Sequence, residues 1–245
     1  MPSRLFAFGC SFTNYRWSTW ADCLAPEFDY FENWGQAGAG NHYIFNSIIE
    51  ADQRHNFGPN DTVIVCWTNT MREDRYIKNS WVTLGNIATS TIFTKEFITN
   101  SVCERGNLIR DLAFISAIKN LLMAKNSVSV KFLSMCSILQ LDPWQPQQHQ
   151  HNDVVKIYQD AIDFIMPSFI DVLGQEYWNT QKEKRFKYPE GGVDYHPTPE
   201  EHLAYLDAVL PGWVTKVETR VKIHEESINL NKDPQRSGMT KVTRL

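Results

Sequence analysis

The 245-residue chain carries 24 Lys and Arg against 28 Asp and Glu, which gives a formal net charge of −4, and 42% of its residues are hydrophobic. This length allows one large domain with a substantial buried core, and the composition excludes a disordered chain. The weak negative charge provides no electrostatic basis for nucleic acid or an anionic membrane as the main partner.

The start of the chain lacks the pattern of an export signal, because only four apolar residues separate Arg4 from Gly9. No apolar stretch of the sequence is long enough to span a bilayer. The five cysteines are odd in number and include no C-x-x-C pair, which indicates free thiols in a reducing compartment. We therefore expect a cytoplasmic protein.

The first half of the chain predicts strands that alternate with helices. The apolar run at residues 5–8 is closed by Gly9, which is typical of a buried strand that ends in a tight turn. The predicted elements that follow are a helix at 18–25 with Ser18 as N-cap, a strand at 29–34, a helix at 41–53 and a strand at 62–67. The last strand is almost continuously apolar or β-branched, as expected for a parallel strand covered on both faces.

The second half predicts two long helices, one strand and a terminal helix. The predicted elements are a helix at 107–125, a strand at 128–135, a helix at 153–173 and a final helix that begins near Thr198. Pro167 is expected to kink or break the third of these elements, and Pro199 suits the first turn of the last helix.

Strands that alternate with helices of ten to twenty residues predict a three-layer α/β/α sandwich with a mostly parallel sheet. We expect residues 1–228 to form a single domain. Segments 71–106, which includes a β-prone piece at 90–93, and 138–190 are interpreted as excursions that shape a pocket. The polar tail at 229–245 has little to bury, and we expect it to be extended or disordered.

Four short motifs each follow a predicted strand or precede the last helix. They place Ser11 in FGCSF, Gly38 in NWGQAG, Asn69 in WTNT, and Asp194 and His196 in DYHP. Ligands of open α/β sheets bind at the carboxyl ends of the strands. The motifs are therefore expected to meet at one edge of the sheet and to build one composite site.

The residue types in these motifs are those that acyl transfer requires. Ser11 would attack an ester carbonyl, and His196 would take the serine proton and return it to the leaving alcohol. Asp194 would orient the imidazole and stabilise its cationic form. The backbone N–H groups of Ser11 and Gly38 and the side-chain amide of Asn69 would hold the oxyanion, each donor contributing about 3–4 kcal/mol.

With these motifs the chain resembles the SGNH (GDSL-type) hydrolase superfamily, whose four blocks centre on Ser, Gly, Asn and His in this order. The resemblance covers residues 4–42, 61–70 and 191–210. It implies a flavodoxin-like sheet and the hydrolysis of lipid, carbohydrate or small acyl esters without a metal or another cofactor. The GCSFT form of the first block is similar to versions met in bacteriophage-encoded and bacterial members.

Three positions depart from the family pattern. Cys10 replaces the Asp of the family name, and residues 68–70 read Thr-Asn-Thr instead of Gly-x-Asn-Asp. The acid that lies three residues before the family's histidine is Val193 here, so Asp194 is the nearest substitute. If Asp194 does not reach the imidazole, a Ser–His dyad is left, with a backbone carbonyl in the orienting role.

Two further groups of residues bear on ligands. Trp34, Trp67 and Tyr195 flank the motifs and are candidates for lining an acyl or sugar pocket. His149 and His151 suggest metal ligands, but no further Cys/His/Asp cluster stands beside them in the sequence, so we expect no metal.

The favoured hypothesis is a metal-independent serine esterase that acts through an acyl-enzyme on a small-acyl or carbohydrate-linked, O-acetyl type ester. The alternative is a catalytically weak SGNH-like binding or structural module, which the altered third and last blocks motivate. A flavodoxin-like nucleotide binder is disfavoured, because no Gly-rich phosphate loop follows the first strand. The sequence does not determine the acyl group, the alcohol or the oligomeric state. A homo-oligomer is compatible with it, and so is a phage-encoded origin.

Overall fold

The computed structural model describes residues 2–89, 92–125, 127–141, 149–174, 187 and 192–230. The strands in these residues are β1 (Arg4–Phe8), β2 (Tyr30–Asn33), β3 (Asp61–Trp67), β4 (Arg72–Ile77), β5 (Ser80–Asn86) and β6 (Ser129–Ser134). The α-helices are α1 (Trp20–Leu24), α2 (Asn41–His55), α3 (Lys95–Ser101), α4 (Glu104–Ala124), α5 (Asn152–Ile157), α6 (Gln159–Ile162), α7 (Phe169–Leu173), α8 (Pro199–Val209) and α9 (Val217–Ile228). No helix in the described ranges is both long and apolar enough to cross a bilayer.

A parallel sheet with strand order β2-β1-β3-β6 forms the centre of the protein. β1 lies in the interior of this sheet because all four of its apolar residues are fully buried. β3 is buried along its whole length, as the sequence predicted. Since the four strands run in the same direction, their carboxyl ends meet at one edge. This order places the first strand inside the sheet, as in the flavodoxin-like type of doubly wound fold.

Helices cover the sheet on both sides, which confirms the predicted three-layer α/β/α architecture. One layer contains α2 and α4, which pack against each other, and α2 also contacts β1 and β3. The other layer contains α1, α7, α8 and α9, which pack against one another.

The prediction of one long helix at 153–173 is wrong, whereas the break that it expected at Pro167 is confirmed. The segment forms the three short helices α5, α6 and α7, and between the last two Ile165 makes a parallel bridge to Phe132 of β6. Pro167 explains the break, because proline lacks the N–H that a helix requires and disfavours helical geometry in the preceding residue. A new helix starts only after Ser168, whose hydroxyl accepts a hydrogen bond from the Asp171 N–H at 3.1 Å.

The first helix is shorter than predicted, and its N-cap is Thr19 instead of Ser18. Thr19 and Asp22 form a capping box, in which the Thr19 N–H donates to the Asp22 carboxylate at 2.8 Å. Ser18 contacts the far end of the chain instead, because its hydroxyl donates to Glu226 of α9 at 2.6 Å. Tertiary packing therefore selected the neighbouring residue as the cap.

The C-terminal region contains one predicted helix and one that the sequence did not indicate. α8 is capped by Thr198 and starts at Pro199, as expected, whereas α9 was not predicted. From residue 231 the predicted tail lies outside the described residues. Of the predicted β-prone piece at 90–93, positions 90 and 91 also lie outside the described residues. Residues 92 and 93 are described and belong to no strand.

The excursion at 71–106 contains an antiparallel hairpin, β4–β5, which the sequence interpretation missed. Its two-residue turn is Lys78–Asn79, with positive φ at both residues (51° and 64°). Two successive positive φ angles are characteristic of the type I′ turns that match the twist of paired strands.

The hairpin supports the start of α2 through Asp74. This buried carboxylate accepts the Gly40 N–H at 2.8 Å and the Tyr43 N–H at 2.9 Å. These backbone donors belong to the first turn of α2 and have no partner within the helix. A side chain from a distant strand thus takes the role that an N-cap residue usually has.

Asp74→Ala should lower the free energy of unfolding by about 1–2 kcal/mol, because it removes this capping interaction and leaves buried N–H groups unpaired. Urea denaturation measures the change. Asp160→Ala is the matched control: its side chain is 89% exposed and pairs with Lys119, so the expected change is at most about 0.5 kcal/mol. Equal losses in the two variants would contradict the capping role.

Candidate active site

Ser11 lies in a tight turn directly after β1. Gly9 ends the strand, and the Thr13 N–H donates to the Cys10 carbonyl at 2.9 Å. A side chain at Gly9 would collide with this turn, since a Cβ there would lie 2.1 Å from the Thr13 hydroxyl oxygen. The turn therefore holds Ser11, which is 5% exposed, at the carboxyl edge of the sheet.

His196 and Asp194 lie next to Ser11, although 185 residues separate the serine from the histidine. His196 Nε2 is 2.8 Å from Ser11 Oγ, and His196 Nδ1 is 2.7 Å from Asp194 Oδ1. The same carboxylate oxygen accepts the His196 backbone N–H at 2.9 Å. Asp194 therefore reaches the imidazole from a position two residues before it, where the family pattern has three.

The environment of Asp194 keeps it charged. Burial alone would raise its pKa, but hydrogen bonds from His196 and from Tyr15 hold the pKa of Asp194 well below its ordinary value. A buried carboxylate that stays ionised favours the imidazolium form of its partner. The Ser11 hydroxyl, the His196 imidazole and the Asp194 carboxylate thus form one continuous hydrogen-bonded chain, the arrangement in which a serine can act as a nucleophile.

Tyr15 is a site residue that the sequence interpretation missed. Its hydroxyl donates to Asp194 Oδ2, and its ring stacks on the His196 imidazole with centroids 3.9 Å apart. Trp17 packs against Tyr15 and donates its indole N–H to the Pro197 carbonyl at 2.7 Å. Two aromatic residues shortly after Ser11 were the available signal, but nothing in the sequence indicates which residues they contact.

The loop around Gly38 lies against the hairpin. Gly38 has φ +74°, and a Cβ there would be 2.4 Å from the Thr83 carbonyl oxygen, so only glycine fits. Its own carbonyl accepts the Gly85 N–H at 2.9 Å. The Gln36 N–H donates to the Gly9 carbonyl at 3.0 Å and so joins this loop to the turn that carries Ser11.

Asn69 follows β3 as predicted, but its amide is occupied. Its Nδ2 donates to the carbonyls of Gln140 and Leu141, at 2.8 and 2.9 Å, and its Oδ1 accepts the Met71 N–H at 2.8 Å. Both amide hydrogens hold the 140–141 segment in this conformation. A role as oxyanion donor requires one of these bonds to be exchanged for the substrate oxygen.

Asn41 fixes the loop that carries Asn69. Its side chain accepts the Thr68 N–H and donates to the Thr68 carbonyl, both at 2.9 Å. It also donates to the buried Asp111 carboxylate at 2.8 Å, which Arg110 contacts at 2.7 Å. This network joins the second and third motifs, and the sequence gave it no visible signal because its members belong to different elements.

The predicted pocket residues separate into two groups. Trp34 and Trp67 are fully buried: the first stacks against Phe8, and the second packs edge-on against Phe132. This corrects the predicted pocket, because indoles inside the hydrophobic core are closed to a ligand. Tyr195 is 38% exposed beside His196 and is still a candidate for contacting a ligand.

A second histidine lies behind the site. His202 is fully buried, and among the described residues neither of its ring nitrogens has a hydrogen-bond partner. Burial holds the pKa of His202 well below its ordinary value, so this imidazole is neutral. Phe12 contacts both histidine rings, with centroids 5.7 Å from His196 and 6.3 Å from His202. His202 therefore acts as a packing residue here.

No family model matches the sequence, and no curated protein is similar to it in sequence. Among solved structures, the chain is similar to a lipolytic G-D-S-L family member from Veillonella parvula, with a TM-score of 0.45, 12% identity and coverage of 84% of this chain and 96% of that one. It is also similar to a GDSL-like lipase from Bacteroides thetaiotaomicron, with a TM-score of 0.40, 11% identity and coverage of 91% of this chain and 88% of that one. For an acetylxylan esterase from Geobacillus stearothermophilus the TM-score is 0.41 and the identity 12%, with coverage of 87% of this chain and 97% of that one. At these values the likeness carries no argument about the activity of this chain.

Gly38→Ala should destabilise the protein more than Gly85→Ala does. Both glycines have positive φ (+74° and +75°), so both substitutions cost backbone strain of about 1 kcal/mol or more. Only the Gly38 substitution adds a collision with the Thr83 carbonyl, because a Cβ at Gly85 meets nothing within 4 Å. Thermal unfolding of the two variants measures the difference, and equal shifts would show that the loop and the hairpin do not touch as described.

Proposed function

We propose that the protein is a serine ester hydrolase of the SGNH type that needs no metal and acts through an acyl-enzyme. The observation that carries the proposal is the continuous contact from Ser11 Oγ to His196 Nε2 at 2.8 Å and from His196 Nδ1 to Asp194 at 2.7 Å. The order Ser-Gly-Asn-His in the sequence supports the same assignment, since each of these residues follows a strand or precedes α8.

In the first half-reaction Ser11 Oγ attacks the ester carbonyl carbon while its proton passes to His196 Nε2. The Asp194 carboxylate accepts the hydrogen bond from Nδ1 and stabilises the imidazolium. The tetrahedral intermediate collapses when His196 returns the proton to the leaving alcohol, which leaves an acyl-serine. In the second half-reaction water attacks this ester with His196 again as base, and the acid and free Ser11 are formed.

The oxyanion is proposed to bind the backbone N–H groups of Ser11 and Gly38. Neither N–H has a hydrogen-bond acceptor within the described part of the chain, so both are available. Asn69 is the proposed third donor. Its side-chain amide would donate to the oxyanion after releasing one of the carbonyls of the 140–141 segment. Donors aimed at the developing negative charge stabilise the transition state more than the ground state.

The exposure of the two reacting groups supports a small acyl group and a larger alcohol. Ser11 is 5% exposed, whereas the His196 side chain is 29% exposed. A short acyl group suits the nearly buried serine, and the leaving alcohol would lie on the side of the more exposed histidine. We therefore favour O-acetyl or other short acyl esters, including esters linked to carbohydrates.

The occupied amide of Asn69 favours a second candidate function, an SGNH-like binding or structural module of weak catalytic power. In that case the bonds to Gln140 and Leu141 persist, and the oxyanion site lacks its side-chain donor. Loss of one such donor typically costs about 10²–10³ in kcat. Reactivity of Ser11 separates the two candidates.

Wild-type protein should hydrolyse p-nitrophenyl acetate and acetylated sugars and should be labelled by a fluorophosphonate. Ser11→Ala should abolish labelling and reduce kcat/KM by about 10³-fold or more, because it removes the oxygen that is proposed to form the acyl intermediate. Ser18→Ala is the control, since that hydroxyl contacts Glu226 instead of the site. If the wild-type protein is not labelled and hydrolyses neither substrate class, the result would support the binding or structural module.

Tyr15→Phe should lower kcat about tenfold and change KM little, since it removes one hydrogen bond to a charged group and keeps the stacked ring. Tyr15 contacts Asp194 and His196, so the effect belongs to positioning. Tyr30→Phe is the matched control, because that hydroxyl donates to Glu32, which lies within β2. An unchanged kcat in Tyr15→Phe would remove Tyr15 from the machinery.

A further inference from the structure

Two histidines and a glutamate converge beside the start of α4. Glu104 is the first residue of that helix, and His149 and His151 precede α5. Glu104 Oε1 is 3.0 Å from His149 Nδ1 and 3.5 Å from His151 Nε2, and the three donor atoms all lie within 4.8 Å of one another. The sequence offered only the two histidines, and the fold adds the third donor from 45 residues away.

The two separations from the Glu104 oxygen are close to the donor spacing around a zinc ion. Bonds of about 2.0–2.1 Å to histidine nitrogen and about 2.0–2.2 Å to carboxylate oxygen place the ligands of a tetrahedral site about 3.3 Å apart. Both distances from the Glu104 oxygen lie close to this value. Two imidazoles and one carboxylate are also a donor set that borderline divalent metals such as Zn²⁺ prefer.

The second ring nitrogen of His149 has the kind of partner that metal-binding histidines use. Nε2 is 2.9 Å from the Thr70 hydroxyl, which is itself fully buried. A hydrogen bond from Nε2–H to this hydroxyl would leave the lone pair of Nδ1 directed toward Glu104, as a bound cation requires. Burial lowers the pKa of His149 and so favours the neutral ring that coordinates a metal.

The protein also holds the two ligand-bearing segments together. Arg105, next to Glu104, makes a bidentate ion pair with Asp153, with contacts of 2.9 and 2.5 Å. This pair joins the start of α4 to the start of α5 and balances the arginine charge near the site. The His149 backbone N–H donates to the Leu139 carbonyl at 2.8 Å, which also ties His149 to Leu139.

We propose that Glu104, His149 and His151 bind a divalent transition-metal ion, Zn²⁺ in the first place, with water in the remaining position. Access is open, because the Glu104 and His151 side chains are 42% and 27% exposed. The ion would be structural: His149 is bonded to Thr70, the neighbour of Asn69, and to Leu139, the neighbour of Gln140. Metal binding would thus stabilise the contact between the loop that carries Asn69 and the 140–141 segment. The inference does not depend on the esterase assignment.

The competing arrangement is a metal-free cluster in which both imidazoles donate to Glu104 and the Thr70 hydroxyl donates to His149. Equilibrium dialysis of chelator-treated protein with Zn²⁺, and the absorption spectrum with Co²⁺, distinguish the two. The expected result is one metal ion per chain, bound with micromolar or tighter affinity, and the intense visible bands of tetrahedral Co²⁺. Absence of stoichiometric binding would overturn the proposal in favour of the metal-free cluster.

Variants locate the ion. His151→Ala and Glu104→Gln should weaken Zn²⁺ binding at least about 100-fold, and Thr70→Val, which removes an outer partner, about 10–100-fold. His224→Ala is the matched control, because His224 forms a histidine–glutamate pair with Glu200 at 3.2 Å that has no third donor among the described residues. His151 is the more exposed ligand, so its substitution keeps the test valid if changes at buried His149 prevent folding.

His196→Ala provides the last arm of the experiment. Stoichiometric binding that survives His196→Ala and disappears in His151→Ala would support the proposed site. Binding lost in His196→Ala and kept in His151→Ala would place the ion at the Ser11 cluster and overturn the proposal. All these readouts are independent of ester hydrolysis, so failure of the metal site and failure of the proposed function are distinguishable.

Discussion

Parallel pairing of β1 with its two neighbours is the interaction on which the candidate site depends. It places the ends of β2, β1 and β3 at one edge, so that the loops carrying Gly38, Ser11 and Asn69 start side by side. The pairing continues past the strands, since the Trp34 N–H donates to the Ala7 carbonyl at 2.7 Å. The strands are held in this register by burial of β1 and β3, because a shift by one residue would reverse which side chains face each layer.

Buried polar contacts then convert this shared edge into a defined arrangement. Asn41 ties the second motif to the third, and Asp74 brings the hairpin against the start of α2. Each contact satisfies backbone groups that would otherwise be buried without partners, which is costly in a low-dielectric interior. Tyr15 contacts both Asp194 and His196. The candidate site is therefore supported by residues that do not belong to the four motifs.

Sequence reasoning succeeded where the signal was local and failed where distant packing decided. The buried strands, the helices α2 and α4 and the start of α8 near Thr198 follow from periodicity and from contacts between near neighbours. The long helix at 153–173 failed because Pro167 and the bridge from Ile165 to β6 outweighed helical periodicity. The prediction that Trp34 and Trp67 line a pocket was wrong for a related reason. A residue that is near a motif in the sequence can still have its side chain inside the core.

The sequence by itself determined the alternation of strands and helices, the order of the four motifs and the Asp-x-His spacing, because hydrophobic periodicity and turn chemistry act over a few residues. Only the tertiary structure decided that Asp194 reaches His196 from the shorter spacing, that Tyr15 completes its hydrogen bonding, and that the Asn69 amide is occupied. It also brought Glu104 to the two histidines. These contacts join residues 45 to 179 positions apart, or depend on loop geometry, and the free energy of packing the whole domain selects them.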